Sequence, residues 1–336
     1  MTAWKDLSRD EQVAALQQVA GMMHISPQAV EKDLWVTIIL QMVFALPFAD
    51  KLVFKGGTSL SKVFGMIERF SEDIDLAIDR SYFGIEGDLT KKQLKRLRKL
   101  SSTFVRDTLF SELRDSLHHN GFDELEVKAE PDGEGDATYP EPRKIFIEYP
   151  SLFGERNDYL KPRLMLEVGA RSLFEPTTKA QVSSLVEQAF PDVCSSVVNP
   201  MITTAVIEKT FLEKAFLLHE LFSTNAGILA NRKSRHLYDL EKMMDQPFAA
   251  KAIGNDALWE TISHHRQVFT SMRDVDYTPD IRERIMLVPP QNLMKEWKDD
   301  YEAMRGTMVF GASLDFEALM ERMEELQRRF RVKNSL

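Results

Sequence analysis

Asp73 and Asp75 lie two residues apart in the run Asp73-Ile74-Asp75-Leu76-Ala77-Ile78, where residues alternate at the period of a half-buried strand. On such a strand both carboxylates face the same way. Two hard oxygen anions on one face suit Mg2+ (or Mn2+), which shares its coordination between carboxylates, waters and substrate phosphates. With 52 acidic residues in 336, chance supplies about eight acidic pairs at this spacing, so the pair alone discriminates little. What precedes it is rarer: Lys55-Gly56-Gly57-Thr58-Ser59, a glycine turn leading into a short helix. Glycines let a backbone approach phosphate, N–H groups at a helix start bind anions, and the Thr58 and Ser59 hydroxyls can donate to phosphate oxygens. The composite points to metal-assisted chemistry on a polyphosphate. The competing reading is a tight turn beside an edge strand whose aspartates are simply solvated. No GxxxxGK[ST] loop, HExxH or Cys/His zinc spacing occurs, which disfavours P-loop and zinc chemistry.

The elements that must position these residues can be read from capping and periodicity. Ser8 with Glu11 forms a capping box, and Ser26 with Pro27 gives an N-cap followed by proline, so two helices start there. The second runs through Leu34, Trp35, Ile38, Ile39, Met42 and Val43 towards Pro47. Then come a short strand from Leu52 to Phe54, a brief helix from Ser59 to Ile67, and the aspartate strand. A long amphipathic helix is expected from Thr90 to His119, and strands at Leu125 to Ala129, Lys144 to Tyr149 and Arg163 to Val168. Beyond about residue 205 the pattern is helical: Glu208 to Phe222, Ser234 to Met244, Leu258 to Phe269, Asn292 to Met304, and a last helix carrying Phe316, Leu319, Met323, Leu326 and Phe330 on one face.

Composition bounds the class. The chain is 43% hydrophobic and 28% charged, enough for a sizeable core. No apolar run approaches the ~18 residues of a membrane span, and the start carries no secretory signal pattern, so the expected compartment is the cytoplasm. A single cysteine, Cys194, excludes an internal disulfide framework; it reads as a small buried hydrophobe. The net charge of −9 argues against non-specific coating of nucleic acid, but local patches matter more than the sum. Lys91, Lys92, Lys95, Arg96, Arg98 and Lys99 form a cluster without an acid. It is either a phosphate-contacting stripe for RNA, a solvated helix face, or a surface for an acidic protein partner.

Gly56-Gly57-Thr58-Ser59 and Ser71-Glu72-Asp73-Ile74-Asp75-Leu76 resemble the glycine and aspartate motifs of the AbiEii/AbiGii toxin family, a branch of the nucleotidyltransferase superfamily whose core is similar to that of DNA polymerase beta. Thr210-Phe211-Leu212-Glu213-Lys214-Ala215 and Ser234-Arg235-His236-Leu237-Tyr238-Asp239-Leu240 resemble its downstream lysine and aspartate motifs, with His236 where many members carry an acid. Glu31-Lys32-Asp33 and the stretch from Tyr301 to Phe316 extend the likeness over nearly the whole chain. The resemblance implies an α/β (α+β) protein: N-terminal helices over 1–47, a mixed-sheet catalytic core over 48–180, and a helical domain over 181–336 that closes a nucleotide cleft. It further implies a toxin of a bacterial toxin–antitoxin or phage-defence system that moves a nucleoside monophosphate from an NTP to the 3′ end of tRNA, with a protein hydroxyl as the competing acceptor and a catalytically silent binding module as the non-enzymatic alternative. A third metal-binding carboxylate is implied on a neighbouring strand. Glu167 is the candidate, since Leu164, Leu166 and Val168 would pack on the opposite face; Glu148 is the alternative. By the same resemblance Lys214 touches the triphosphate and Asp239 holds that lysine or the nucleotide.

Overall fold

Ser8 and Ser26 cap the first two helices as their sequences require: both side chains accept a backbone N–H from the first turn, and Glu11 completes the capping box of the first. The computed structural model describes residues 2–71, 73–154, 161–196, 198–223 and 230–332. Glu72, within the aspartate motif, lies outside the described residues. The chain forms two compact units, Met1–Val63 with Phe70–Ala205, and Phe64–Arg69 with Val206–Leu336.

In the first unit the elements run β1 (Thr2–Ala3), α1 (Arg9–Met23), α2 (Pro27–Val43), β2 (Leu52–Lys55), α3 (Gly56–Lys62), β3 (Asp73–Ile78), α4 (Lys91–Phe104), α5 (Phe110–His119), β4 (Glu126–Ala129), β5 (Arg143–Glu148), β6 (Arg163–Gly169), β7 (Thr177–Ala180), α6 (Leu185–Ala189), β8 (Val193–Cys194) and β9 (Ile202–Ala205). Seven strands make one mixed sheet in the order β4-β5-β6-β3-β2-β9-β7, parallel between β3 and β6 and between β2 and β9. Ile74, Leu76, Leu164, Leu166, Val168, Ile145 and Ile147 are buried on one sheet face, so strand alternation sends the odd-numbered residues of β3 and β6 to the other. Helix α2 is buried nearly all round and packs on α1, α5, α6 and β6. Its Glu31-Lys32-Asp33 segment is structural. Glu31 accepts from Ser151 Oγ and Leu152 N, both at 2.7 Å. Lys32 Nζ donates to Lys161 O at 3.1 Å, and Asp33 pairs with Lys62 at 2.5 Å.

The second unit is helical: α7 (Ile207–Ser223), α8 (Arg235–Met243), α9 (Pro247–Ile253), α10 (Asp256–Phe269), α11 (Met294–Thr307) and α12 (Phe316–Arg331). Phe211, Phe216, Trp259 and Phe330 stack in its core, and the face of α12 that the sequence marks as apolar is buried.

Three sequence expectations are corrected. The brief helix occupies Gly56–Lys62 and not Ser59 to Ile67, with Val63 as its C-cap; beyond it Gly65 takes a left-handed φ of 61°, which a continuing helix does not allow. The sheet continues past residue 180, because the four-residue strand β9 pairs with β2 and β7 and carries the first unit to Ala205. Cys194 is half-buried, its Sγ 3.6 Å from Thr2 O, since its strand is a two-residue pairing with β1.

Candidate active site

Strand register assembles the acidic residues of the first unit. Asp75 of β3 pairs directly with Glu167 of β6, and Asp73 stands two pairs along on the same face, opposite Met165. Lys55 of β2 pairs with Asp75 on its other side, and Lys144 of β5 pairs with Glu167. Lys55, Asp75, Glu167 and Lys144 therefore form one row across four neighbouring strands, two carboxylates flanked by two ammonium groups, all on the face opposite the apolar core. Burial raises the Glu167 carboxyl above its usual range, and the Asp75 charge raises it further, with Lys55 and Lys144 opposing. Glu148, the alternative third acid, pairs with Arg163 and Glu126 at the far end of β5 and lies 3.5 Å from Lys128. The register brings Glu167, and not Glu148, beside β3.

Gly56 carries a φ of +79°, and a Cβ there would sit 2.2 Å from Asp75 Oδ2. The glycine is thus required twice, for a left-handed backbone and for its close approach to that carboxylate. The adjacent hydroxyls do not face outward as the sequence suggests. Thr58 and Ser59 are buried. Thr58 Oγ1 donates to Asp73 O and lies 2.8 Å from Ser71 Oγ, and Ser59 Oγ donates to Gly56 O at 2.8 Å. Both hydroxyls brace the turn against the aspartate strand, because a buried hydroxyl must find a protein partner. Only Lys55, Gly56 and Gly57, all half-buried, keep access to a ligand.

Among the described residues no three acidic, His or Cys side chains close into a cage around an ion. The expected convergence of Asp73, Asp75 and Glu167 is therefore one of register and facing, not a preformed three-ligand shell. Two neighbouring carboxylates, one of them raised by burial and by the charge of the other, are still a fit for a divalent cation whose remaining ligands are phosphate oxygens and water.

The second unit holds a separate buried ionic cluster. Arg69 grips Asp239 of α8 through Nε at 2.7 Å and a second nitrogen at 2.8 Å, and Lys214 of α7 meets the same carboxylate at 2.8 Å. Asp239 is fully buried; burial alone would raise its pKa, but Arg69 and Lys214 outweigh that and hold it far below the usual range. His236 Nδ1 is 3.4 Å from Lys214 Nζ. Arg69 was not a sequence candidate. Its place in the run joining the two motifs was visible, but its partner, 170 residues away, was not. Lys144 was missed for the same reason, since only strand pairing shows that it faces Glu167.

Of the basic cluster, Lys91, Lys92, Lys95, Arg96 and Lys99 are exposed on α4. Arg98 turns back to donate to Tyr139 O at 2.6 Å, and Lys99 lies over the Tyr139 ring. No helix among the described residues is long and apolar enough to cross a membrane.

The fold resembles that of MenT4, a nucleotidyltransferase toxin from Mycobacterium tuberculosis H37Rv, with a TM-score of 0.58 at 15% identity over 98% of this chain and 91% of that one. No curated protein sequence matches the chain. The family profile described as nucleotidyl transferase AbiEii toxin, type IV toxin–antitoxin system, matches residues 38–322. That span takes in the Gly56 turn, the paired strands bearing Asp75 and Glu167, and the Lys214–Asp239 cluster, and the chain is a member of this AbiEii family of nucleotidyltransferase toxins.

Proposed function

We propose that this toxin transfers a nucleoside monophosphate from an NTP to the 3′ end of tRNA in a Mg2+-dependent (or Mn2+-dependent) reaction, in the cytoplasm and under the control of a cognate antitoxin. The observation that carries the reading is the row in which Asp75 and Glu167 stand side by side against Gly56. A divalent cation held by Asp73 and Asp75, with Glu167 nearby, would neutralise the triphosphate and favour ionisation of the acceptor hydroxyl. Lys55 and the Gly56-Gly57 backbone suit the phosphates, Lys214 supplies a further positive charge to them, and Asp239 fixes that lysine. The acceptor oxygen attacks the α-phosphorus, the bond to the bridging oxygen breaks, pyrophosphate departs, and the hydroxyl proton passes to a carboxylate or to water. The exposed Lys91, Lys92, Lys95, Arg96 and Lys99 fit an RNA backbone, whose phosphates reward a row of unburied cations.

The test is incubation with each labelled triphosphate, Mg2+, total tRNA and cell lysate. Label in tRNA, lost in Asp75→Ala, is the expected result. Label in protein alone would make a protein hydroxyl the acceptor, and no label under any condition would leave a binding module.

A further inference from the structure

Lys214 is buried, so its charge is held in place by whatever accepts its three N–H bonds. Asp239 is one acceptor, at 2.8 Å, but its carboxylate is already engaged by two hydrogen bonds from Arg69. One negative charge is shared between two cations, and among the described residues Lys214 has no carboxylate of its own. Its other acceptor is the Nδ1 of His236, one turn before Asp239 on α8. An ammonium can only donate, so Nδ1 accepts and the ring proton sits on Nε2.

We infer that His236 is a positioning residue that orients the Lys214 ammonium as a neutral acceptor, leaving its positive charge for the triphosphate. An acid at this position would hold the same nitrogen equally well but would neutralise it. An apolar residue would leave the charge and lose the aim. The groups that face the ring act in the same sense: burial keeps it neutral, and Lys214, Arg235 and Arg69 oppose its protonation, with Asp239 alone favouring it. Protonation would replace an acceptor with a second donor aimed at Lys214, so the arrangement exists only with the ring uncharged.

This rests on the reading that Lys214 meets the triphosphate, and the experiment separates the two. Equilibrium binding of inorganic tripolyphosphate is measured by calorimetry for wild type, His236→Asn, His236→Asp, His236→Leu and Lys214→Met, each first checked for an unchanged melting profile. Tripolyphosphate needs no transfer activity and no acceptor. Asparagine, a neutral acceptor, should stay within about threefold of wild type, while aspartate should weaken binding by about tenfold or more, the order expected for removing one net charge near an anion. In labelled-nucleotide transfer the aspartate variant should raise KM for NTP more than it lowers kcat. Equal binding by His236→Asp and wild type, with Lys214→Met impaired, would overturn the role of His236. If Lys214→Met also binds normally, the phosphate role of Lys214 itself falls, and this inference falls with it. Should His236→Asn fail to fold, His236→Gln replaces it, and should His236→Asp fail, His236→Glu replaces it, each on the same criteria.

Discussion

Replacing Asp239 with asparagine tests the buried cluster, because the change keeps size and shape while removing the one charge that Arg69 and Lys214 share. Both cations stay inside: the side chains of Arg69 and Lys214 are 1% and 8% exposed. Breaking a buried pair by removing one partner costs about 3–5 kcal/mol, since the charges left inside keep their desolvation penalty and lose that partner's attraction. At a urea slope of roughly 2 kcal/mol per molar, that lowers the midpoint by about 2 M. Intrinsic fluorescence reads the transition, because Trp259 and Trp297 are buried at 2% and 0% exposure in the second unit. The depressed pKa of Asp239 fixes the pH dependence. Its contribution is complete above the ordinary carboxylate range near pH ~4 and is lost as pH falls below that, so wild type and variant should converge in acid. Arg69→Met should be costly by itself, and the Arg69→Met, Asp239→Asn double variant should cost less than the sum of the two. A midpoint for Asp239→Asn within about 0.3 M of wild type, or strict additivity in the cycle, would refute the reasoning.

Three further outcomes are expected. Gly56→Ala places a methyl group 2.2 Å from Asp75 Oδ2 at a left-handed φ; displacing that carboxylate by about 1 Å should cost roughly 10²-fold in transfer rate, measured with labelled NTP, together with a stability loss of more than about 1 kcal/mol. Burial lowers the His219 pKa to about 4, and its Nδ1 accepts from Met286 N at 3.1 Å. That stability is present above pH ~6.5 and is lost as pH falls towards 4, so wild type should lose about 2 kcal/mol between pH 7 and pH 5 through this group, and His219→Gln should flatten the urea-measured profile by that amount. Lys95→Gln with Lys99→Gln should weaken RNA binding and reduce the slope of log K against log salt by about 0.7–0.9 per lysine, and an unchanged slope in a filter-binding titration would remove α4 from the RNA contact surface.

The local rules were legible wherever one segment carried both the signal and its consequence. Ser8, Glu11, Ser26 and Pro27 announce their helices, and the alternation of Ile74, Leu76 and Ile78 with Asp73 and Asp75 announces both the strand and the face its carboxylates take. Glu167 could be preferred because Leu164, Leu166 and Val168 claim the other face, and they are fully buried. What escaped was decided by partners distant in sequence. Strand β9 is four residues, Ile-Thr-Thr-Ala, too short to show a period of its own, and becomes a strand by pairing with β2 and β7. Thr58 and Ser59 look like phosphate donors until the turn is folded, when burial commits them to Asp73 O and Gly56 O. Arg69 and Lys144 acquire meaning only through Asp239 and Glu167.

The most direct test of the central claim is the initial rate of nucleotide transfer by Asp75→Asn, taken with its melting temperature. The Asp75 charge raises the cost of ionising Glu167 in the absence of a cation, so the variant should be as stable as wild type or more so, yet at least about 10²-fold slower at every Mg2+ concentration. A folded Asp75→Asn protein that transfers nucleotide at the wild-type rate would contradict the account.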